Sequence, residues 1–413
     1  CNTREEAEKS MSSIVAKFGA YIGRLARKKP EKVRQLIIPA CRAKKIQFKY
    51  FSQKRQSPAR NHLSEVLIDS VLAPYLEPEN SALVNFHFPC ELLYAMGIHP
   101  NVSEAVSGSI NAFEAEKYFV EYAENAGISE TLCSYHKIML GTVLSGVLPK
   151  PAFVANVSLV CDANSLTFPM AANHWQVPHF MVDVPLDRSP EGIAYVADQL
   201  REFKDFLEDV TGKRLQYKRL KEIVACTGRT IEKLARAQQL KKYHYLQNDL
   251  EGEVFEMFAS HILLGTREIE TYADLLCRDL ERSNKTKGLR LLWMHVIPYY
   301  ITPLKKLLNF NPKCQIVTSE MNFDGYVDID PAKHYESMAN RLVLHAYNGS
   351  AVHRMESTLK MCRELDIDGV VYFCHWGCKQ TAGASDYIKE ALESAGYPVL
   401  ILNGDGCNLN NSG

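Results

Sequence analysis

The sequence predicts an α/β protein: two doubly wound parallel-sheet domains, a helical N-terminal region and a helical insert between the sheets. Three observations carry this. At 413 residues the chain is too long for one ordinary core. Short apolar runs ending at Pro or Cys alternate with amphipathic stretches, the pattern of βαβ units. An internal echo pairs SLVCDANSL, a helical stretch and VPHFMVDVP with VYFCHWGCK, a helix and YPVLILNGDG. Two domains of related design account for the echo.

Residues 1–80 read as helical. SSIVAKFGAYIGRL has apolar residues at helical spacing, and KKPEKVRQL opens a second helix with Pro30 early in it. Residues 81–186 form the first α/β domain. ALVNFHFP is a buried strand ending at a proline, ELLYAMG a helical turn closed by Gly97, and AFVANVSLV and HFMVDVP two further strands. Residues 187–285 return to long amphipathic patterns, beginning EGIAYVADQLREFKDFLEDV, and are expected as an all-helical insert. Residues 286–413 resume the alternation with strands in GLRLLWMHV, QIVTSEM, LDIDGVVYF and YPVLILN, and with SDYIKEALESAG as the last helix.

Composition narrows the function. Basic and acidic residues balance at 48 each, and hydrophobic residues make up 46%. No basic surface for nucleic acid or an anionic membrane is indicated, and no apolar run has the length of a membrane span. The chain opens CNTREEAEKS, without a signal-peptide pattern and without an initiator Met, as a trimmed product would. TGKR at 211–214 is not a P-loop, and no G-x-G-x-x-G is present, so ATP and NAD are not expected ligands. Twelve cysteines in a chain neither small nor visibly secreted suit a reducing, cytoplasmic compartment.

Six of those cysteines stand where chemistry is expected. In parallel sheets, ligands bind beyond the C-terminal ends of strands. Cys90 follows NFHFP, Cys161 ends SLV, Cys374 ends DGVVYF with Cys378 in the turn after it, and Cys407 follows VLILNGDG; Cys133 lies near a helix start. Taken singly, each is as well explained as a small core residue, the reading given to Cys41, Cys226, Cys277, Cys314 and Cys362. Taken together they suit thiolate ligation of iron and sulfide. A tetrahedral zinc site is the rival metal, against which their scatter along the chain argues.

At these residues a resemblance appears. FPCELLYAMGIHP, LCSYHKIMLG, VSLVCDANS, VPHFMVDVP and IKEALESAGYPVLILNGD are similar to the patterns of the 2-hydroxyacyl-CoA dehydratase family, from about residue 80 to the C-terminus. The family includes benzoyl-CoA reductase subunits, 2-hydroxyglutaryl-CoA dehydratase subunits and double-cubane cluster proteins. The resemblance implies two flavodoxin-like domains with an iron–sulfur cluster between them, charged by a separate ATP-hydrolysing iron–sulfur activator. It also implies that Cys90, Cys133 and Cys374 are the three ligands of a [4Fe-4S] cluster. With Cys161, Cys378 and Cys407 added, the six resemble the ligand set of an [8Fe-9S] double cubane.

The expected function is therefore an iron–sulfur reductase of small molecules, working on a double cubane as a homodimer. One alternative is a [4Fe-4S] subunit of a 2-hydroxyacyl-CoA dehydratase or benzoyl-CoA reductase; another is an electron-carrier or cluster-assembly protein without its own substrate. Proton-donor candidates beside the cysteines are His87, His136, His375 and Glu91, with His99 nearby. Each histidine is equally a buried packing residue, and Glu91 equally a favourable charge at a helix start. Trp376 is read as a shield for a cluster and Lys379 as a charge that balances it.

Overall fold

The structure is a computed structural model that describes residues 15–51, 56–284 and 288–407. It begins with helices α1 (residues 15–26), α2 (Pro30–Phe51) and α3 (Pro58–Leu76). Ser57 caps α3 by accepting from the Arg60 N–H, with Pro58 at the first helical position, where no N–H is needed. The first fourteen residues, including part of the helix expected at SSIVAKFGAYIGRL, lie outside the described residues.

Two four-stranded parallel sheets follow. The first holds β1 (Ser81–Val84), β2 (His99–Val102), β3 (Phe153–Val157) and β4 (His179–Val182), in the order β2-β1-β3-β4. The second holds β5 (Leu289–Met294), β6 (Cys314–Ser319), β7 (Gly369–His375) and β8 (Val399–Gly404), in the order β6-β5-β7-β8. The orders are identical, which is the physical content of the echo in the sequence. Strand β2 was not legible there because HPNV is short and carries Pro100. It survives as a sheet edge, where a missing N–H is tolerated. The run ALVNFHFP is strand only as far as Val84; Asn85 to Pro89 form the loop beyond it.

The first half also contains α4 (Glu91–Met96), α5 (Ser103–Ala112), α6 (Glu116–Asn125), α7 (Ser134–Leu144) and α8 (Asn164–Trp175). Between the sheets run α9 (Pro190–Thr211), α10 (Tyr217–Lys241), α11 (Leu250–Ile262) and α12 (Arg267–Glu281). The second half adds α13 (Thr302–Leu308), α14 (His334–Val343), α15 (Ala351–Glu364) and α16 (Lys379–Ser394). Among the described residues, no helix is long and apolar enough to cross a membrane.

Strand alternation joins the halves. Ala82, Val84, Phe153, Ala155 and Val157 share one buried cluster with Leu291, Trp293, Val371 and Phe373. Their neighbours point the other way: Leu83 and Val154 toward Phe168, and Leu292, Val370 and Tyr372 toward Ile388 and Leu392. Period-two side-chain direction thus gives each sheet one face in a common core and one under its own helices.

A buried ion pair orders the second sheet's C-terminal edge. Glu320, just past β6, pairs with Arg354 of α15; both side chains are almost wholly buried. Arg354 Nε donates to Glu320 Oε2 at 3.1 Å and Nη1 to Gln380 Oε1 at 2.9 Å, while Glu320 Oε1 accepts the His295 N–H at 2.9 Å. The Tyr372 hydroxyl donates to the Thr381 carbonyl at 2.8 Å. These bonds fix the first turn of α16 against the strands. Removing one member of such a pair strands the other charge in the core. Arg354→Met is therefore expected to lose about 3–5 kcal/mol in urea denaturation. Combining it with Glu320→Met should recover much of that loss.

Candidate metal centre

In each sheet the chain leaves the two central strands in opposite directions, opening a crevice beyond their C-terminal ends. Cys161 lies in the loop after β3, and Cys374 to Cys378 end β7 and form the turn after it. Cys133 caps α7, which packs on α8.

Cys133, Cys161 and Cys378 lie near enough to one another to interact electrostatically. Burial raises the Cys133 thiol well above its ordinary range; Cys161 and Cys378 raise it further, while the backbone N–H groups of His136 and Tyr135 pull it down. Burial pushes Cys161 up to about 12, with Cys378 and Glu104 adding to the rise and the N–H groups of Asn164 and Ala163 opposing it. Cys133 and Cys378 occupy the N-cap positions of α7 and α16, and Cys161 stands just before α8. The N–H groups at the starts of α7 and α8 thus face the Cys133 and Cys161 sulfurs, and Cys378 stands at the start of α16. All three thiols are partly exposed, whereas Cys90, Cys374 and Cys407 are buried.

The surroundings are built to close tolerances. A Cβ on Gly377 would lie 2.4 Å from the Cys133 Cα, so the CHWGC turn packs against Cys133 only because this residue lacks a side chain. Val160, immediately before Cys161, has φ +70°, a left-handed conformation costly for a β-branched residue. The Thr381 hydroxyl donates to Cys378 Sγ at 3.3 Å. The Ser134 hydroxyl donates to Asp405 Oδ1, tying α7 to the loop after β8.

Two of the predicted histidines lie at the sulfurs. His375 Nδ1 accepts the Gly406 N–H at 3.0 Å, so the neutral ring carries its proton on Nε2, 3.1 Å from Cys133 Sγ. Thr167 donates its hydroxyl proton to the Ala163 carbonyl, so it accepts from His136 Nδ1 at 2.8 Å. His136 Nε2 is then a bare lone pair 3.4 Å from Cys161 Sγ. Burial, reinforced by His375, holds His136 down at about 4, and burial lowers His375 as well. Both rings are neutral at ordinary pH.

The grouping differs from the trio implied by the resemblance. Cys90 Sγ donates to the Phe88 carbonyl at 3.4 Å, with Glu91 and Arg341 as its charged neighbours. Cys374 shares the strand face of Val370 and Tyr372 beneath α16, and strand alternation keeps it there. Its charged neighbours include Cys378, and it stands near Ser385. Cys407 belongs to the apolar cluster of the N-terminal helices and points its thiol at the Ser107 carbonyl, 3.6 Å away, with Cys133 a more distant neighbour. Glu91 is a structural tie: it pairs with Arg341 of α14 and accepts from the Thr227 hydroxyl of α10 at 3.1 Å. His87 packs against His261 and His345, and His99 lies 3.5 Å from Glu77 at the sheet edge. Trp376 and Lys379 are exposed.

Nothing in the residue pattern singles out Glu104. It reads as an ordinary acid in the first turn of a helix, yet burial pushes its carboxyl up to about 7 against the Ser103 hydroxyl, which donates to Oε2 at 2.6 Å. Its charged neighbours include Cys161 and His261.

The donor set fits an iron–sulfur cluster. The Cys133 and Cys161 thiols, raised by burial and by neighbouring thiols, are relieved when a cation displaces their protons, and the N–H groups beside them suit sulfur that carries negative charge. Comparison with known proteins agrees with the fold. The profile of the 2-hydroxyglutaryl-CoA dehydratase D-component family matches residues 85–412. Among curated relatives, lactoyl-CoA dehydratase subunit alpha of Anaerotignum propionicum is 24% identical over 356 residues, covering 77% of this chain and 83% of the relative. The (R)-phenyllactyl-CoA dehydratase alpha subunit of Clostridium sporogenes is 22% identical over 390 residues, covering 86% and 92%. The chain belongs to the 2-hydroxyglutaryl-CoA dehydratase D-component family, within the wider 2-hydroxyacyl-CoA dehydratases.

Proposed function

We propose that this chain is the cluster-bearing subunit of a dehydratase acting on a 2-hydroxyacyl-CoA, with one [4Fe-4S] cluster held by Cys133, Cys161 and Cys378. The observation that carries the reading is that three electrostatically coupled thiols each stand at or just before a helix start. The relatives' names supply the reaction class and favour a dehydratase over the general reductase expected from six cysteines. The placement of Cys90 and Cys407 favours one cubane over two. When bound, the cluster would supply one-electron reduction and an iron without a protein thiol, open to a substrate oxygen.

The chain's own residues do the rest. The Cys133 sulfur receives the His375 Nε2–H, which steadies negative charge there. Glu104, poised near neutrality, holds a proton at its carboxyl and delivers it to the departing hydroxyl. The sequence has no phosphate-binding loop, so ATP-driven electron delivery falls to a separate iron–sulfur activator. Both relatives are alpha subunits, so a second, different subunit is proposed in place of the expected homodimer. Such chemistry belongs in a reducing cytoplasm.

Anaerobic analysis is expected to give about four iron and four sulfide per chain. Serine at Cys133, Cys161 or Cys378 should remove most of it, while Cys90→Ser and Cys407→Ser keep it. About eight iron per chain, with partial loss in Cys407→Ser, would restore the double-cubane reading. Gly377→Ala retains every thiol, yet its new Cβ displaces the CHWGC turn from Cys133. Its iron content should fall toward that of Cys133→Ser. Full loading would show that the turn does not position Cys378. The acid role of Glu104 requires the protonated form, so dehydration should be full below about pH 7 and decline as pH rises through it. Glu104→Gln should abolish that dependence and slow turnover on the order of a hundredfold or more. An unchanged pH profile in the variant would remove Glu104 from the reaction.

A further inference from the structure

Away from the thiols, a second cluster of donors joins the two halves. His87 lies in the loop after β1, His261 in the last turn of α11, Asp324 beyond β6 and His345 just past α14. One ligand atom from each lies within 4.8 Å of all the others. Asp324 and His345 are buried, with side chains 2% and 4% exposed. Phe86 lies against the His261 ring with centroids 4.2 Å apart.

The hydrogen-bond pattern leaves a gap among these atoms. His261 Nδ1 lies 2.9 Å from the Met257 carbonyl, an acceptor only, so Nδ1 carries the ring proton. Its Nε2 faces Asp324 Oδ1 at 2.9 Å, a contact that needs a proton or a metal cation between the two atoms. Asp324 Oδ2 and His87 Nδ1 are buried and have no hydrogen-bond partner among the described residues. Such orphans are uncommon and call for an explanation. His345 differs. Its Nδ1 accepts the Tyr347 N–H at 3.1 Å, so Nε2 bears the proton and faces Asp324 Oδ1, 3.3 Å away and too poorly aligned for a full hydrogen bond.

We propose that His87, His261 and Asp324 bind one divalent first-row transition metal ion, with His345 as a positioning residue for the carboxylate. Two imidazole nitrogens and one carboxylate form a facial set suited to Fe(II), Mn(II), Co(II) or Zn(II). The absence of thiolate from the set disfavours Cu(I), and its nitrogen content disfavours Ca(II) and Mg(II). The His261 Nδ1–H bond to a backbone carbonyl is the support that metal-bound histidines usually have. The four side chains line one small cavity together with Phe88, Tyr326 and Arg341. The competing explanation is a proton shared between His261 and Asp324, with no metal.

This site does not depend on the assignment of the cysteines, and Mn(II) separates the two because it binds thiolate poorly. Protein isolated anaerobically is dialysed against chelator and titrated with Mn(II), the free ion being followed by electron paramagnetic resonance. One saturable equivalent per chain is expected. His87→Gln and Asp324→Asn should each weaken it by at least about tenfold, and His345→Gln by less than either. Should Asp324→Asn fail to fold, the loop variant His87→Gln carries the test through thermal melting. Zn(II) should raise the melting temperature of the parent protein and leave that of His87→Gln unchanged. Absence of saturable Mn(II) uptake by the parent protein, or equal uptake by His87→Gln, would overturn the metal and leave the shared proton.

Discussion

Negative charge on sulfur inside a protein needs compensating positive charge, and beside Cys133 and Cys161 backbone N–H groups are placed to supply some of it. The N–H groups of the first turn of a helix have no partners within the helix, so helices that begin at one place make a positive pocket without any lysine or arginine. Parallel sheets produce that arrangement as a matter of course. Every strand ends at the same edge, and the helix that follows starts there. Helices α8 and α16 start at that edge because they follow β3 and β7, and α7 starts there because it runs back into β3; the sequence places a cysteine at or just before each start.

Two sheets of equal strand order make the pocket two-sided, and rigid ties hold its walls in register. Glu320 and Arg354 anchor the first turn of α16, and the Ser134–Asp405 hydrogen bond joins α7 to the loop after β8. Glu91, Arg341 and Thr227 bind three helices at the opposite side of the crevice. The common core beneath, from Val84 and Val157 to Trp293 and Phe373, leaves the halves little freedom to slide. Within this frame the soft donors and the hard donors are separated. Sulfur gathers after β3 and β7, and imidazole and carboxylate gather after β1 and β6, with Glu104 electrostatically coupled to both groups.

Much of the fold was legible because its signals are local. Buried parallel strands read as apolar runs, α16 as an amphipathic repeat and the paired halves as a repeated motif. Strand β2 escaped because its four residues include a proline, and only its place at a sheet edge makes that acceptable. Five cysteines were legible as candidates by their position beyond strands and Cys133 by its place near a helix start, and His136 and His375 by their closeness to them. Cys90 and Cys378 look equally suited in the sequence, since each stands at a helix start after a strand. They differ in direction: one thiol turns back to its own loop, and the other faces Cys133 across the crevice.

The sequence by itself determined the fold class, the number of sheets, the family resemblance and the chemical type of the ligands, because each depends on residue identity and short-range spacing. Tertiary structure alone decided which thiols are neighbours, why Gly377 must lack a side chain, and that burial holds the Glu104 carboxyl near neutrality. It also decided that His87 faces His261, Asp324 and His345. Those outcomes depend on directions and burial set by contacts between residues hundreds of positions apart. A pKa or a ligand group exists only once such surfaces have closed around it.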